Sequence, residues 1–325
     1  MFNKALFGAF LALLVSAAGA LAQDDTAKNY PNRPVHVIVG YVAGGGTDLI
    51  ARLVAAKMVD GLGQPAIIEN KPGAQSIIAA ELVARSAPDG YTVLAGPIGP
   101  MAMNSAIYSK LSYHPLKDFV PVSMIGSQPM ILVVDPALGV RSVKELVDYA
   151  KAKVNAVNYS ANAAPFQLAA ELFKQKTGTS FAFIPYKGGN ESANAVVSGQ
   201  VTMAILDAPS VMGPLKGGRL KGLAVTSSTR QASWPDLPTM AEVGLPDLEA
   251  QLWTGLFVPA ATPMPIVRKL QVEVARIVRL ADVRERLGAL GVQPSGNTSE
   301  EFRSIVAADI AKWTQVAKTA NIKAE

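Results

Sequence analysis

Residues 34–58 read PVHVIVGYVAGGGTDLIARLVAAKM, and this stretch indicates the fold more clearly than any other part of the chain. The β-branched run at 35–39 is typical of a buried strand. Three glycines, Gly44-Gly45-Gly46, follow the strand, and Thr47 or Asp48 is placed to cap the helix after them. The stretch therefore predicts a strand, a glycine turn and a helix, which form the first unit of an α/β fold.

The same alternation recurs along the chain. The first series continues with a predicted strand at 65–69, a helix at 76–86 and a strand at 91–95. A second series has predicted strands at 154–160, 181–185 and 201–206, with helices at 165–177 and 192–198. Each βαβαβ series favours a parallel sheet with right-handed crossovers. An internal repeat and two independent units of a common type both explain the likeness, and both predict two similar lobes.

Two further segments are predicted to join the lobes. Residues 120–135 form a long apolar stretch broken by Gly126 and Pro129, suited to crossing from one lobe to the other. A strand at 252–259, after another at 220–226, is placed to carry the chain back, and two crossings are what a hinged pair of lobes requires. The remainder is predicted to be helical, at 265–280, 282–290 and 299–320, with Ser299 starting the last helix.

The N-terminal residues have the pattern of a cleavable signal peptide. Lys4 precedes an apolar run at 5–15, and Ala20-Leu21-Ala22 supplies the small-x-small pattern that a signal peptidase cuts after. The apolar run is shorter than the roughly 20 residues that a membrane-spanning helix needs. We therefore expect residues 1–22 to be a signal peptide and the mature protein to be periplasmic.

Composition narrows the functional class. A chain of 325 residues with 50% hydrophobic and 17% charged residues is expected to form packed domains, and its length favours two. The net charge is +5, with lysines and arginines scattered rather than clustered, so nucleic-acid binding is not expected. The chain has no cysteine, so packing alone is expected to stabilise it.

Few residues are suited to catalysis or to metal binding. The two histidines, His36 and His114, lie in a predicted strand and a predicted surface loop, without carboxylates at metal-ligand spacing. The Gly-x-Ser-x-Gly pattern of α/β-hydrolases does not occur. We expect no catalytic residue, no metal and no cofactor, and hence no enzyme.

Three places are candidates for ligand contact. The turn at Gly44-Gly45-Gly46 can present backbone N–H groups and a helix N-terminus to an anion such as a carboxylate, or can be only a tight turn. Asp207 ends a strand at the edge where α/β sheets bind ligands, and it either contacts a ligand or caps the next helix. Lys187 follows a strand and either neutralises a carboxylate or is solvated.

The chain resembles the Bug family, the periplasmic receptors of tripartite tricarboxylate transporters. The resemblance extends over nearly the whole mature chain and depends on the order and spacing of many short motifs. These are Tyr30-Pro31, Arg33-Pro34, GGGTD at 44–48, Ala51-Arg52, LGQP at 62–65, ENKPGA at 69–74, PDGYT at 88–92, KDF at 117–119, KEL at 144–146, PYKG at 185–188, LAVT at 223–226 and PTMAE at 238–242.

The resemblance implies a two-lobed periplasmic binding protein type II-like α/β fold that closes on a small carboxylate. It implies lobe 1 at 23–128 and 253–325 and lobe 2 at 129–252, each a mainly parallel sheet flanked by helices. The implied ligand contacts in lobe 1 are Tyr41, Gly44, Gly45, Gly46, Thr47, Asp48, Gly96, Pro97 and Ile98. Those in lobe 2 are Ser160, Asn162, Ala163, Ala164, Lys187, Gly188 and Asp207. The implied partners are membrane permease subunits, and a monomer is expected.

Two places depart from the family pattern. Residues 161–167 read ANAAPFQ where the family shows glycines and then a histidine, and Glu191 lies where small apolar residues are commoner. The amide of Asn162 and the carboxylate of Glu191 would suit a ligand with hydroxyl or amine groups. Two other functions stay open: a periplasmic enzyme acting on a carboxylate, and a ligand-sensing module for a signalling partner.

Overall fold

The computed structural model describes residues 28–154, 156–231 and 233–322. The predicted signal peptide lies outside these residues. The strands are β1 (Val35–Val39), β2 (Ala66–Asn70), β3 (Thr92–Pro97), β4 (Phe119–Val134), β5 (Asn158–Ala161), β6 (Ala182–Pro185), β7 (Met203–Asp207), β8 (Lys221–Val225), β9 (Gln251–Pro259) and β10 (Gln293–Pro294). The helices are α1 (Gly46–Leu62), α2 (Ile77–Ala84), α3 (Asn104–Ile107), α4 (Val143–Ala152), α5 (Ala164–Thr177), α6 (Gly189–Val197), α7 (Ala208–Lys216), α8 (Met264–Ile277), α9 (Ala281–Ala289) and α10 (Ser299–Thr319).

The two predicted βαβαβ series fold with the same strand order. In the first, β1 lies between β2 and β3 and is parallel to both. In the second, β5 lies between β6 and β7 and is again parallel to both. The predicted parallel pairing is confirmed in both series. Because parallel strands end at the same edge of a sheet, the loops after β1 and β3, and those after β5 and β7, are brought close together.

The long strand β4 connects the two halves. Its residues from Phe119 to Pro129 pair antiparallel with β9, and its residues from Met130 onward pair antiparallel with β7 and β8. The strands thus follow the order β2-β1-β3-β9-β4-β7-β5-β6, with β8 and β10 paired to β4. The antiparallel pairs all involve β4 or β9, so the segments predicted as crossings form the middle of one curled, mixed sheet.

An aromatic cluster packs α10 against this central region. The ring centroids of Phe257 on β9 and Phe302 on α10 are 5.1 Å apart, and both side chains are fully buried. Gly255 permits this approach, because a Cβ at that position would lie 2.3 Å from Cε1 of Phe302. Burying an aromatic side chain of this size contributes about 1.5–3 kcal/mol. The C-terminal helix α10 therefore packs against and stabilises the central strand β9, where the two halves of the sheet meet.

The N-caps of the first and the last helix differ from the residues that the sequence predicted. Helix α1 has Gly45 as its N-cap, so Thr47 and Asp48 lie inside its first turn. The cap of α10 is Thr298 rather than Ser299: its side chain accepts a hydrogen bond from Glu301 N–H, and Glu301 bonds back to the backbone of Thr298. This reciprocal capping box satisfies both orphan donors, which is why the N-cap is Thr298 while the helix itself begins at Ser299.

Candidate ligand-binding site

A cavity of about 310 Å³ lies where the two halves of the sheet meet. It lies beyond the carboxyl ends of β1 and β3 on one side and of β5 and β7 on the other, with the middle of β4 and β9 between them. Its lining comprises Tyr41, Gly46, Thr47, Ile50, Pro97, Ile98, Gly99, Gly126, Ser127, Gln128, Asn162, Ala163, Pro165, Phe166, Asp207, Leu252, Trp253, Thr254 and Val292. Its volume is at the lower end of that of small-molecule sites.

The N-terminus of α1 faces this cavity. Because the N-cap residue, Gly45, has no side chain, the N–H groups of Gly46 and Thr47 in the first turn receive no side-chain cap. A Cβ built on Gly46 would meet no atom within 4 Å, so the space beside its backbone is open. Unsatisfied N–H groups and the positive end of the helix dipole together favour an anion at this position.

Asp48 holds the glycine turn against α1 and does not line the cavity. Its carboxylate is 1% exposed and accepts hydrogen bonds from Gly44 N–H, Arg52 Nε and Asn70 Nδ2, each at 2.8 Å. Burial alone would raise the pKa of Asp48, but these hydrogen bonds and the charge of Arg52 outweigh it and lower the pKa to about 2. Asp48 is therefore ionised and its oxygens are taken up by hydrogen bonds within the protein, and the positive charge of Arg52 compensates its charge beside the helix N-terminus.

Tyr41 brings a hydroxyl donor to the same side of the cavity. Burial, and to a lesser extent Tyr108, raise the pKa of Tyr41 to about 12, so the phenol keeps its proton at neutral pH. Its oxygen would lie 3.5 Å from a Cβ built on Gly99, in the loop after β3. Its backbone carbonyl accepts a hydrogen bond from Asn70, which ties the loop after β1 to β2.

The opposite wall presents oxygen atoms that accept hydrogen bonds. Oδ1 of Asp207, Oδ1 of Asn162 and Oε1 of Gln128 are all buried and have no hydrogen-bond partner within the described residues. Burial raises the pKa of Asp207, while Ser210 and backbone N–H groups at the start of α7 act in the opposite direction. Leaving a buried carboxylate oxygen without a hydrogen-bond partner costs free energy, and the large majority of buried polar atoms in native proteins have such a partner.

Half of the residues predicted to contact ligand line the cavity. These eight are Tyr41, Gly46, Thr47, Pro97, Ile98, Asn162, Ala163 and Asp207. The other eight lie beside it, namely Gly44, Gly45, Asp48, Gly96, Ser160, Ala164, Lys187 and Gly188. Whether any of them touches a ligand stays a prediction.

Several of the residues beside the cavity have roles in packing, hydrogen bonding or helix capping. Gly96 is buried in β3, where a Cβ would lie 2.7 Å from Met101 Cγ. Ser160 is fully buried and its hydroxyl is bonded to Ser192. Ala164 starts α5 and is buried, Gly188 is the N-cap of α6, and Lys187 is exposed.

Glu191 is exposed and accepts a hydrogen bond from Lys187 N–H at the start of α6. Glu191 does not line the cavity; its carboxylate bonds at the start of α6 instead. Of the two departures from the family pattern, only the one at Asn162 therefore lies at the site.

Sequence reasoning missed the floor of the cavity. Gly126, Ser127 and Gln128 on β4 pair with Thr254, Trp253 and Leu252 on β9, and all six line it. The sequence predicted the two segments as crossings but gave no reason to place Trp253 at the site. A signal was present: strands that cross between two lobes must pass beneath the cleft that separates them.

A second depression, of about 440 Å³, lies on the other side of Trp253. There the Trp253 indole N–H donates a hydrogen bond to Asp309 at 2.7 Å. Burial raises the pKa of Asp309 and lowers that of Lys312. This depression lies away from the carboxyl ends of the parallel strands, so the smaller cavity is the better candidate for ligand binding.

The histidines have local roles. His36 Nδ1 lies 2.5 Å from Glu69 Oε1 on the neighbouring strand, and His114 Nδ1 accepts backbone hydrogen bonds within its own loop. Within the described residues, no cluster of three or more histidine, aspartate or glutamate side chains is arranged to bind a metal. Over the same part of the chain, no helix has the length and apolar character needed to cross a membrane.

The fold and the cavity define a class: a two-lobed α/β solute-binding protein of the periplasmic type. A family model described as the tripartite tricarboxylate transporter family receptor matches residues 50–322. The chain belongs to this family, which is a family of solute-binding receptors, and the resemblance to the Bug proteins is confirmed.

Relatives agree over nearly the full length. The BugT protein of Bordetella pertussis is 34% identical over 318 residues, which is 97% of each chain. An R. palustris protein solved with adipate is 35% identical with a TM-score of 0.80, covering 91% of this chain and 99% of its own. MatC from Rhodopseudomonas palustris, solved with bound malate, is 33% identical with a TM-score of 0.76, covering 88% and 99%. The predicted α/β binding-protein fold is therefore confirmed.

Proposed function

We propose that this protein captures a small organic acid in the cavity between its lobes and delivers it to the permease subunits of a tripartite transporter. One observation carries the proposal: the uncapped N–H groups of Gly46 and Thr47 face a cavity at the junction of the two halves. A carboxylate there would complete the hydrogen bonds of the helix N-terminus. The adipate and malate bound by two relatives are carboxylates of suitable size.

The lobes are proposed to comprise residues 23–128 with 253–325, and residues 129–252. The change of partner within β4, from β9 up to Pro129 to β7 from Met130, supports the first boundary. Ligand contacts from both lobes would favour the closed arrangement, because a ligand shifts a conformational equilibrium only by its differential affinity for the two states.

Binding without chemical change is part of the proposal. A carboxylate-transforming enzyme needs an acid–base pair within reach of the substrate. Among the described residues, Asp48 accepts three hydrogen bonds within the glycine turn and Lys187 is exposed outside the cavity. The titratable side chains that line the cavity are then Asp207 and Tyr41, which lie on opposite walls, and the pKa of Tyr41 is raised to about 12. Mass spectrometry of a ligand recovered unchanged after long incubation tests this directly, and a modified product would contradict it.

Export and partnership complete the proposal. The signal-like residues 1–22 would direct the chain to the periplasm, where it acts as a monomer.

Isothermal titration calorimetry against dicarboxylates, amino acids and aromatic acids is the test of capture. We expect at least one acid to bind with one-to-one stoichiometry; binding of only neutral or cationic compounds would overturn the proposal. Cross-linking of the loaded protein to its permease in membranes tests delivery.

A further inference from the structure

Three acceptor oxygens on neighbouring strands face the cavity without partners. Asp207 ends β7 and is paired in register with Met130 on β4, two residues after Gln128. Asn162 directly follows β5, which lies on the other side of β7. Within the described residues, Oδ1 of Asp207, Oδ1 of Asn162 and Oε1 of Gln128 are buried and unpartnered. The strand order β4-β7-β5 therefore places three acceptors on one wall.

The three groups are not chemically equal. An amide presents either its oxygen or its NH₂ group, and a rotation about the last side-chain bond exchanges them. Asn162 and Gln128 can therefore adapt to a donor or to an acceptor. When it is ionised, the carboxylate of Asp207 can only accept, and a cation beside it favours that form, so Asp207 determines what the wall selects.

The opposite wall has the reverse character. It presents the N–H groups of Gly46 and Thr47 and the protonated hydroxyl of Tyr41, all of which can donate. A second carboxylate on the ligand would face Asp207 as a like charge, whereas a cation would complete an ion pair. Within the described residues, no side-chain cation pairs with Asp207, and Lys187 is exposed.

We propose that the ligand is an amino acid in the broad sense, with its carboxylate at Gly46 and Thr47 and its protonated amine against Asp207, Asn162 and Gln128. The inference depends on the proposed function, since it assigns the far end of the same ligand. The two amides supply the additional acceptors that a three-donor ammonium group needs.

The test compares ligands that differ only at the far end. Calorimetry of the full-length mature protein with ω-amino acids of three to six carbons, and with dicarboxylates of matched length, measures the preference. We expect the best amino acid to bind at least tenfold more tightly than its matched dicarboxylate. Asp207→Asn should weaken the amino acid about 10- to 100-fold, as expected for loss of a charge-assisted hydrogen bond, and leave the dicarboxylate equal or tighter.

Two further variants separate a specific contact from a general effect. Asn162→Ala removes a second acceptor without changing charge and should weaken the amino acid severalfold. Glu191→Gln removes an exposed carboxylate from the same lobe and should leave affinity unchanged. Tighter binding of dicarboxylates, with no loss in Asp207→Asn or Asn162→Ala, would overturn the inference but leave the proposed function standing. Binding of neither series would overturn the inference, and the proposed function would fall with it only if the other acids of the calorimetric panel also did not bind.

Discussion

The backbone N–H of Gly44 donates a hydrogen bond of 2.8 Å to the carboxylate of Asp48, four residues later in the first turn of α1. This bond folds the glycine turn back on the helix. The N–H group of Gly44 is thereby satisfied within the turn, while Gly46 and Thr47 line the cavity and their N–H groups receive no side-chain cap. A structural carboxylate thus prepares the position that we assign to the ligand's carboxylate.

Asp48→Asn is expected to lower the free energy of unfolding by about 1–3 kcal/mol at pH 7, because a charged acceptor of three buried hydrogen bonds is lost. The pKa of Asp48 is lowered from 3.8 to about 2 in the folded protein. Its contribution is therefore complete above about pH 5 and is lost as the pH falls through 3.8 toward 2. Urea denaturation at pH 6 and pH 3 should show the difference from wild type shrinking at the lower pH. A constant difference would contradict this account.

Gly46→Val should weaken acid binding at least tenfold, because the side chain would occupy the open space beside the helix N-terminus and block approach to its N–H groups. Gly46 has no positive φ, so the variant should fold. Gly288→Val, at another helical glycine with open space but outside this cavity, is the matched control for calorimetry. Unchanged affinity in Gly46→Val would mean that the loop is only a turn.

Trp253 should report ligand binding, since it lines the cavity floor and is 3% exposed. Tryptophan fluorescence is expected to change on addition of ligand, to stay constant in Trp253→Phe and to change normally in Trp234→Phe, whose side chain lies outside the lining. Calorimetry on the same samples separates loss of the signal from loss of binding. A full fluorescence change in Trp253→Phe would place the ligand elsewhere.

Ligand binding should compact the protein, because contacts from both walls of the cavity favour the closed arrangement. Small-angle X-ray scattering at saturating ligand is expected to give a smaller radius of gyration than the free protein gives. The Gly46→Val variant at the same ligand concentration should stay at the value of the free protein. An identical radius with and without ligand would argue against closure.

The alternation of strands and helices could be predicted from the sequence because each element is short, apolar and bounded by glycine or proline. The N-cap of α1 could not be predicted, since Thr47 and Asp48 both have good capping side chains and only the fold shows that Gly45 is the N-cap. The N-cap of α10 could not be predicted either, because Thr298 and Ser299 both have capping side chains. Thr298 is the N-cap because its backbone and side chain bond reciprocally with Glu301.

The candidate site was predictable only where it follows from strand ends. Asp207 was predicted by that rule, and Tyr41 and Pro97, which the family resemblance implied, also lie at or just past the carboxyl end of a strand. Gln128 and Trp253 were missed, since they lie in mid-strand and reach the cavity only through the pairing of β4 with β9. Such long-range pairing leaves no local pattern in the sequence.

The most direct test of the central claim is a crystal structure of the protein with its tightest-binding acid. We predict that the ligand lies in the cavity whose floor is formed by β4 and β9, with one carboxylate oxygen about 3 Å from the backbone nitrogen of Gly46 or Thr47. A ligand with no carboxylate oxygen near Gly46 or Thr47, or a ligand outside this cavity, would contradict the account.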